Sequence, residues 1–280
     1  MYYYIFDDYL NNPENEQHVQ DINAILNDLT VQGERGRISP VRRLQDIMRD
    51  AHAKKIETVV MVGNEDSISK AIGYALDYDF TLGYVPADPD DVLGAQLGIN
   101  SPREAGHALS ARVIEELYPI QVNDKFFITE IRAQIGEKQS EKGFFSRFSG
   151  APAAQDIRIL FDENYFVSGD FEELTIYNTK GESDNPLVTT ERINPDDQVF
   201  EVAFKTALPK YRFMKKEHGI SKDAYKDMSP YNLLKTRKIE VVQPKGLEFI
   251  SGNSVIAKIP CVIQAAPKKL KMIVGKGREV

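Results

Sequence analysis

Two hydrophobic rhythms run along the chain, and one gives way to the other near residue 118. Tyr2 to Phe6 is a short aromatic and β-branched run that predicts a strand. Val19, Ile22, Ala24, Ile25, Leu26 and Leu29 then recur at helical spacing. Gly33 and Gly36 flank charged residues before Ile38, where a second strand is expected. Ser39-Pro40 predicts a helix start, with Ser39 as N-cap, Pro40 at the first helical position, and Val41, Leu44, Ile47 and Met48 as the apolar stripe up to about Ala53. Thr58 to Val62 reads as a third strand, Ser67 to Leu76 as a helix, and Phe80 to Pro86 as a strand. Asp88-Pro89-Asp90-Asp91 and Ser101-Pro102-Arg103-Glu104 predict two more helix starts, the second helix ending near Leu117. Strands alternating with helices over residues 1–118 imply a parallel sheet covered on both faces.

From Tyr118 the pattern shortens to strands and turns. Phe126–Ile131, Ile157–Phe161, Leu174–Tyr177, Gln198–Phe204, Lys238–Val242, Ser254–Val262 and Leu270–Val274 all predict strands of an antiparallel domain. The expected organisation is therefore a three-layer α/β domain over 1–122 and a C-terminal β-sandwich over 123–280, with a loop or partly disordered insert near 135–154.

Composition narrows the function classes. A 42% hydrophobic content belongs to a globular chain. One cysteine, Cys261, leaves no intramolecular disulfide or Cys-rich zinc site. The first residues lack a signal peptide's basic and apolar regions, and no apolar run nears the roughly 20 residues of a membrane span. A cytoplasmic protein is expected, with peripheral membrane attachment left open. The net charge of −7 is uneven: from Phe204 to Val280 there are 17 Lys and Arg against 6 Asp and Glu. Such a split fits solvated faces, halves that pack electrostatically, or a basic end that meets an anionic lipid surface.

The candidate chemistry lies in Val59-Val60-Met61-Val62-Gly63-Asn64-Glu65-Asp66-Ser67. A buried strand, a Gly turn and a helix N-terminus form a common phosphate cradle in α/β proteins. This turn nevertheless carries two acids. In order and spacing the chain resembles the diacylglycerol kinase and bacterial lipid kinase family, relatives of NAD kinases. The family's Gly-Gly-Asp-Gly-Thr turn corresponds to Gly63-Asn64-Glu65-Asp66-Ser67. Its Pro-x-Gly-Thr-x-Asn strand end and following Leu-Gly-Ile resemble Pro86-Ala87-Asp88-Pro89-Asp90-Asp91 and Leu97-Gly98-Ile99. Its Asp-Asp-Gly resembles Asp196-Asp197-Gln198, and a late family strand resembles Leu234 to Val241.

The resemblance implies a nucleotide site at Gly63, Asn64, Glu65, Asp66, Ser67, Asp88 and Asp91, with Glu65 in the family's acidic, catalytic position. It also implies ATP and Mg²⁺ as cofactors, the metal near Asp196 and Asp197. The departures are physical. Asn64 and Asp66 replace glycines that let backbone N–H groups approach phosphates, and Pro89 has no N–H to offer. The family's late Asp-Gly-Glu falls near Ser251-Gly252-Asn253, which has neither carboxylate. One carboxylate about 5 Å from a phosphate charge costs on the order of 3 kcal/mol at an effective dielectric near 20. Several would offset the roughly 8 kcal/mol of micromolar ATP binding, although a bridging Mg²⁺ reverses the sign. The resulting expectation is a degenerate lipid-kinase-fold protein, a pseudokinase with weakened or lost phosphotransfer and a binding or scaffold role. An active ATP-dependent diacylglycerol-type kinase and a membrane-surface or protein-partner module are the alternatives.

Plainer readings stand beside these. Asp66 and Ser67 fit a helix N-cap; Asp88 fits another, with Pro89 at the first helical position and two acids complementing the helix dipole. Asn194-Pro195-Asp196-Asp197 fits an ordinary turn. His18, His52, His107 and His218 show no metal-ligand spacing. Phe144, Phe145, Arg147 and Phe148 could meet a membrane or a protein, or fold back onto the β domain. No Walker-A loop, nucleophile elbow or RNA-binding signature is evident, so no nucleic-acid partner is expected, while a homodimer stays open.

Overall fold

The computed structural model describes residues 1–88, 91–135, 155–179, 186–190, 193–206, 230–251 and 254–278. The first half runs β1 (Tyr2–Phe6), α1 (Glu16–Asp28), β2 (Gly33–Arg37), α2 (Leu44–Ala53), β3 (Thr58–Gly63), α3 (Glu65–Tyr78), β4 (Thr81–Pro86), α4 (Val92–Gln96), α5 (Pro102–Ala111) and β5 (Val113–Leu117). Then come β6 (Ile120–Val122), β7 (Lys125–Phe127), β8 (Glu130–Ala133), β9 (Gln155–Phe161), β10 (Tyr165–Tyr177), α6 (Pro186–Thr190) and β11 (Phe200–Thr206). The chain continues through β12 (Tyr231–Thr236), β13 (Lys238–Gln243), β14 (Glu248–Ser251), β15 (Ser254–Lys258), β16 (Cys261–Ala265) and β17 (Leu270–Val274).

The first sheet has the order β2-β1-β3-β4-β17-β5. β1 to β4 and β17 pair in parallel, and β5 lies antiparallel on β17. Val59 to Val62 are fully buried, which explains their apolar run: a central parallel strand has no wet face. α1 and α5 pack together, as do α2 and α3, giving the expected three layers. β2 and β3 flank β1 on opposite sides, so the connection direction reverses there. The carboxyl ends of β1 and β3 at that point form the usual ligand crevice of such sheets.

The second sheet is antiparallel and two-layered. The long strand β10 supplies the corner: Tyr165 to Phe171 pairs with β9, whereas Phe171 to Tyr177 pairs with β11, and its end also with β8. A register irregularity between Phe171 and Glu173 marks the bend. Ile157, Ile159, Ile239, Val241 and Ile263 from one layer meet Leu174, Ile176, Phe200, Val202 and Phe249 from the other in one core.

The expected strand Phe126–Ile131 is two, β7 and β8, and four further expectations of the fold are corrected. Ser39 and Arg42 close a tight turn, and the following helix begins at Leu44 with Arg43 at its cap; Val41 is 95% exposed and lies off the core stripe. α5 ends at Ala111 rather than near Leu117, because Arg112 turns left-handed (φ 50°) and the chain leaves as β5. The apolar stretch from Ser254 to Val262 is two strands, β15 and β16, separated at Ile259-Pro260. β17, expected in the β domain, returns to the first sheet between β4 and β5. The chain thus crosses between the halves twice, and Ala266 N–H donates to the Pro119 carbonyl at 2.8 Å where the crossings meet.

Alternation in β7 and the residues after it docks the halves. Phe126 and Ile128 pack into the first core, and Phe127 between them packs into the second. A Cβ at Gly73 of α3 would lie 3.2 Å from the Phe126 ring, so the missing side chain is what lets this helix approach.

Candidate functional site

The crevice is built on the turn after β3. A Cβ on Gly63 would lie 2.2 Å from Ser67 Oγ, so only glycine lets the chain turn so tightly into α3. Asn64 is the cap of that helix. Its Oδ1 accepts from Ser67 N–H at 3.2 Å, and its own N–H donates to Ser67 Oγ at 3.1 Å, a reciprocal capping box. This corrects the expectation that Asp66 and Ser67 cap the helix. Asp66 instead pairs with Lys70 at 2.9 Å, and Lys70 also lies 3.5 Å from Asp7, which is 1% exposed at the end of β1.

Glu65 faces the second half of the molecule. The Thr129 hydroxyl donates to its Oε1, and Ser251 Oγ lies 3.3 Å from the same oxygen and 3.1 Å from the Glu130 carbonyl. Burial raises the Glu65 carboxyl above its ordinary range; the Thr129 hydroxyl draws it back, and the neighbouring Asp91 charge raises it again. Ser251 is where the family's late Asp-Gly-Glu was aligned. The contact therefore joins the turn after β3 to the position of that late segment through hydroxyls instead of its carboxylates, while Gly252 and Asn253 lie outside the described residues.

Asp91 closes the other side. Its Oδ1 accepts from Gly94 N–H at 2.6 Å, capping α4, and its Oδ2 accepts from the Tyr84 hydroxyl at 2.8 Å. The backbone N–H of Glu65, at the first position of α3, also favours the ionised form of this carboxylate. Burial nevertheless raises Asp91, and the three donors only partly counter it. Tyr84 ties the two turns together, since its hydroxyl also lies 3.2 Å from the Gly63 carbonyl; burial first and Asp91 second push its ionisation upward. The expected cap at Asp88 is thus corrected to Asp91. Asp88 is exposed and accepts from the Tyr9 hydroxyl at 3.4 Å; Pro89 and Asp90 lie outside the described residues.

Gly63, Asn64, Glu65, Asp66, Ser67 and Asp91 therefore converge, with Asp88 at their edge. Asp196 and Asp197 occupy an exposed turn, where they accept from Asn194 Nδ2 at 2.7 Å and Val199 N–H at 3.0 Å. That turn is anchored by Tyr118 N–H on the Pro195 carbonyl and Gln198 Nε2 on the Ala266 carbonyl. Among the described residues no three His, Cys, Asp or Glu side chains group as metal ligands. Phe144, Phe145, Arg147 and Phe148 lie outside the described residues. No described helix is long and apolar enough to cross a membrane.

Three contributors carry no sequence signal: Thr129, Tyr84 and Asp7. Thr129 joins through the docking of the two halves, whereas Tyr84 and Asp7 join through contacts within the first half. As assembled, the site offers carboxylates and hydroxyls, and its helix-start N–H groups at Ser67 and Gly94 already bond to Asn64 and Asp91.

No family model and no curated protein matches this chain. Solved structures do. The crystal structure of a diacylglycerol kinase from Bacillus anthracis str. Sterne superposes with a TM-score of 0.67 at 13% identity, covering 100% of this chain and 98% of that one. A second from the same organism, assigned provisionally as a diacylglycerol kinase, superposes at 0.72 and 13% identity, covering 100% and 96%. A third, with the same provisional assignment, gives 0.68 at 12% identity over 98% and 97%. At such identity the likeness is one of fold: the chain has the diacylglycerol-kinase-like architecture, an α/β domain followed by a β domain.

Proposed function

We propose that this chain is a lipid-kinase-fold protein whose ATP phosphotransfer is weakened or lost, and which acts as a binding or scaffold protein. The fold supports the first part, since the solved structures of this architecture carry diacylglycerol kinase descriptions over almost their whole length. The bond network of Asp91 carries the second. In a phosphate cradle, backbone N–H groups at helix starts point at the ligand. Here Asp91 takes the N–H of Gly94 and the Tyr84 hydroxyl, so a carboxylate of the chain itself stands at the helix start where a phosphate would need donors.

The residues present do not fit a triphosphate. An incoming phosphate would set its charge beside the half-buried carboxylates of Asp91 and Glu65, a combination penalised by both desolvation and like charge. Asp196 and Asp197 group with no third metal-ligating side chain among the described residues, and each accepts a hydrogen bond within its own turn.

A radiolabelled assay of γ-phosphate transfer from Mg-ATP to diacylglycerol tests the proposal. The expected result is transfer indistinguishable from a protein-free blank. Transfer above the blank that falls sharply in Glu65→Ala would make the chain an active kinase and overturn it.

A further inference from the structure

The chain leaving β17 runs backbone to backbone against the turn that follows α4. Gly275 N–H donates to the Leu97 carbonyl at 2.8 Å, and a Cβ on Gly275 would stand 2.0 Å from the Gly98 carbonyl oxygen. Only glycine permits that approach, and Gly98 is itself left-handed (φ 70°). This contact seats the segment from Lys276 to Arg278 as one wall of a groove of about 790 Å³, with α5 as the other. Its volume is within the about 300–1,000 Å³ of small-ligand sites.

The lining between those walls is small and apolar. Ala108 and Ala111 come from α5, and Val113 and Val274 are paired across the β5–β17 ladder. Charge on the rim becomes one-sided once existing bonds are counted. Glu104, the one acid lining the groove among the described residues, accepts from Asn100 N–H at 2.7 Å and from Asn100 Nδ2 at 3.0 Å. Arg278 is paired with Glu115. Lys276 is exposed, and among the described residues no carboxylate pairs with it.

An apolar floor beside one uncommitted cation complements a ligand with an alkyl tail and a single negative end. Burying the tail removes apolar surface from water, and the anionic end meets Lys276 at the rim, where both stay hydrated. We propose that this groove binds a free single-chain fatty acid, its carboxylate on Lys276 and its tail along Ala108, Ala111, Val113 and Val274. None of these residues belongs to the crevice, so the site stands or falls independently of the proposed loss of phosphotransfer.

Titration calorimetry on the full chain with sodium decanoate and dodecanoate, each below its micelle-forming concentration, tests the proposal. The wild type should show one saturable site, and dodecanoate should bind more tightly by up to about fourfold per added methylene. Lys276→Glu should weaken decanoate binding about fivefold or more. Decylammonium, with the same tail and the opposite charge, should bind the wild type more weakly than decanoate, and Lys276→Glu should reverse that order. Ala111→Trp should fill the floor and remove saturable binding. Lys276 and Ala111 are both exposed, so either variant should keep the far-ultraviolet circular dichroism of the wild type. No saturable dodecanoate binding to the wild type at about 1 mM, or binding that either Lys276→Glu or Ala111→Trp leaves unchanged, would overturn the proposal.

Discussion

Asn64 stands where the family resemblance places a glycine, and its side chain turns back onto the backbone instead of leaving room for a ligand. The capping box with Ser67 satisfies donors and acceptors that a phosphate loop keeps free. Asn64→Ala should cost about 1 kcal/mol of folding stability by urea denaturation, the usual worth of an N-cap. A change near zero would mean the box is not formed. Glu65 gives a pH signature. Burial holds its carboxyl above the ordinary range, so the folded chain binds that proton more tightly than the unfolded chain. Its contribution is full below the unfolded pKa and is lost as pH rises through the raised folded value. At neutral pH the ionised group is a cost. Glu65→Gln, which keeps an acceptor for Thr129 and Ser251, should be more stable than wild type at neutral pH and lose less stability between acidic and neutral pH. Equal pH slopes in the two proteins would contradict this account; Asp7 and Asp91, also raised by burial, should keep part of the slope in both.

At the scale of elements, legibility followed burial. The strand from Thr58 was readable because a central parallel strand is apolar on both faces, and Tyr2–Phe6 was readable for the same reason. Boundaries failed where one signal allows two local structures. Ser39-Pro40 is equally a turn and a helix start, and the tight turn closed by Arg42 won. Val113 to Leu117 continues a helical pattern on paper, but the left-handed residue at Arg112 ends the helix first. The first half of β10 was missed because Ser168, Gly169 and Asp170 are poor strand formers; they are carried by pairing with β9. Asp88 and Asp91 are both plausible caps, and the choice of Asp91 depends on Tyr84, a contact between turns that no spacing reveals. The corrected start of α2 is testable. Val41→Ser should change stability by no more than about 0.5 kcal/mol, as for other exposed sites. Thermal denaturation showing a loss typical of a core valine would place Val41 back on the helix stripe.

For the whole molecule, the double crossing is what makes the site. β17 returns to the first sheet after the β domain is complete, so the two halves are joined at adjacent points and held against each other. That docking brings Ser251 to Glu65, 186 positions apart in sequence. The order of motifs announced the architecture; the pairing of hydroxyls with Glu65 and the closing of the turn by Asp91 depend on long-range geometry and were invisible in the chain. In the crevice that results, Asn64 caps the turn after β3 and Asp91 takes the Gly94 N–H, the basis of the proposed loss of ATP binding. Titration calorimetry with Mg-ATP at physiological salt tests this most directly. The wild type should show no heat of binding in the micromolar range; micromolar affinity would contradict the proposed loss of the nucleotide site.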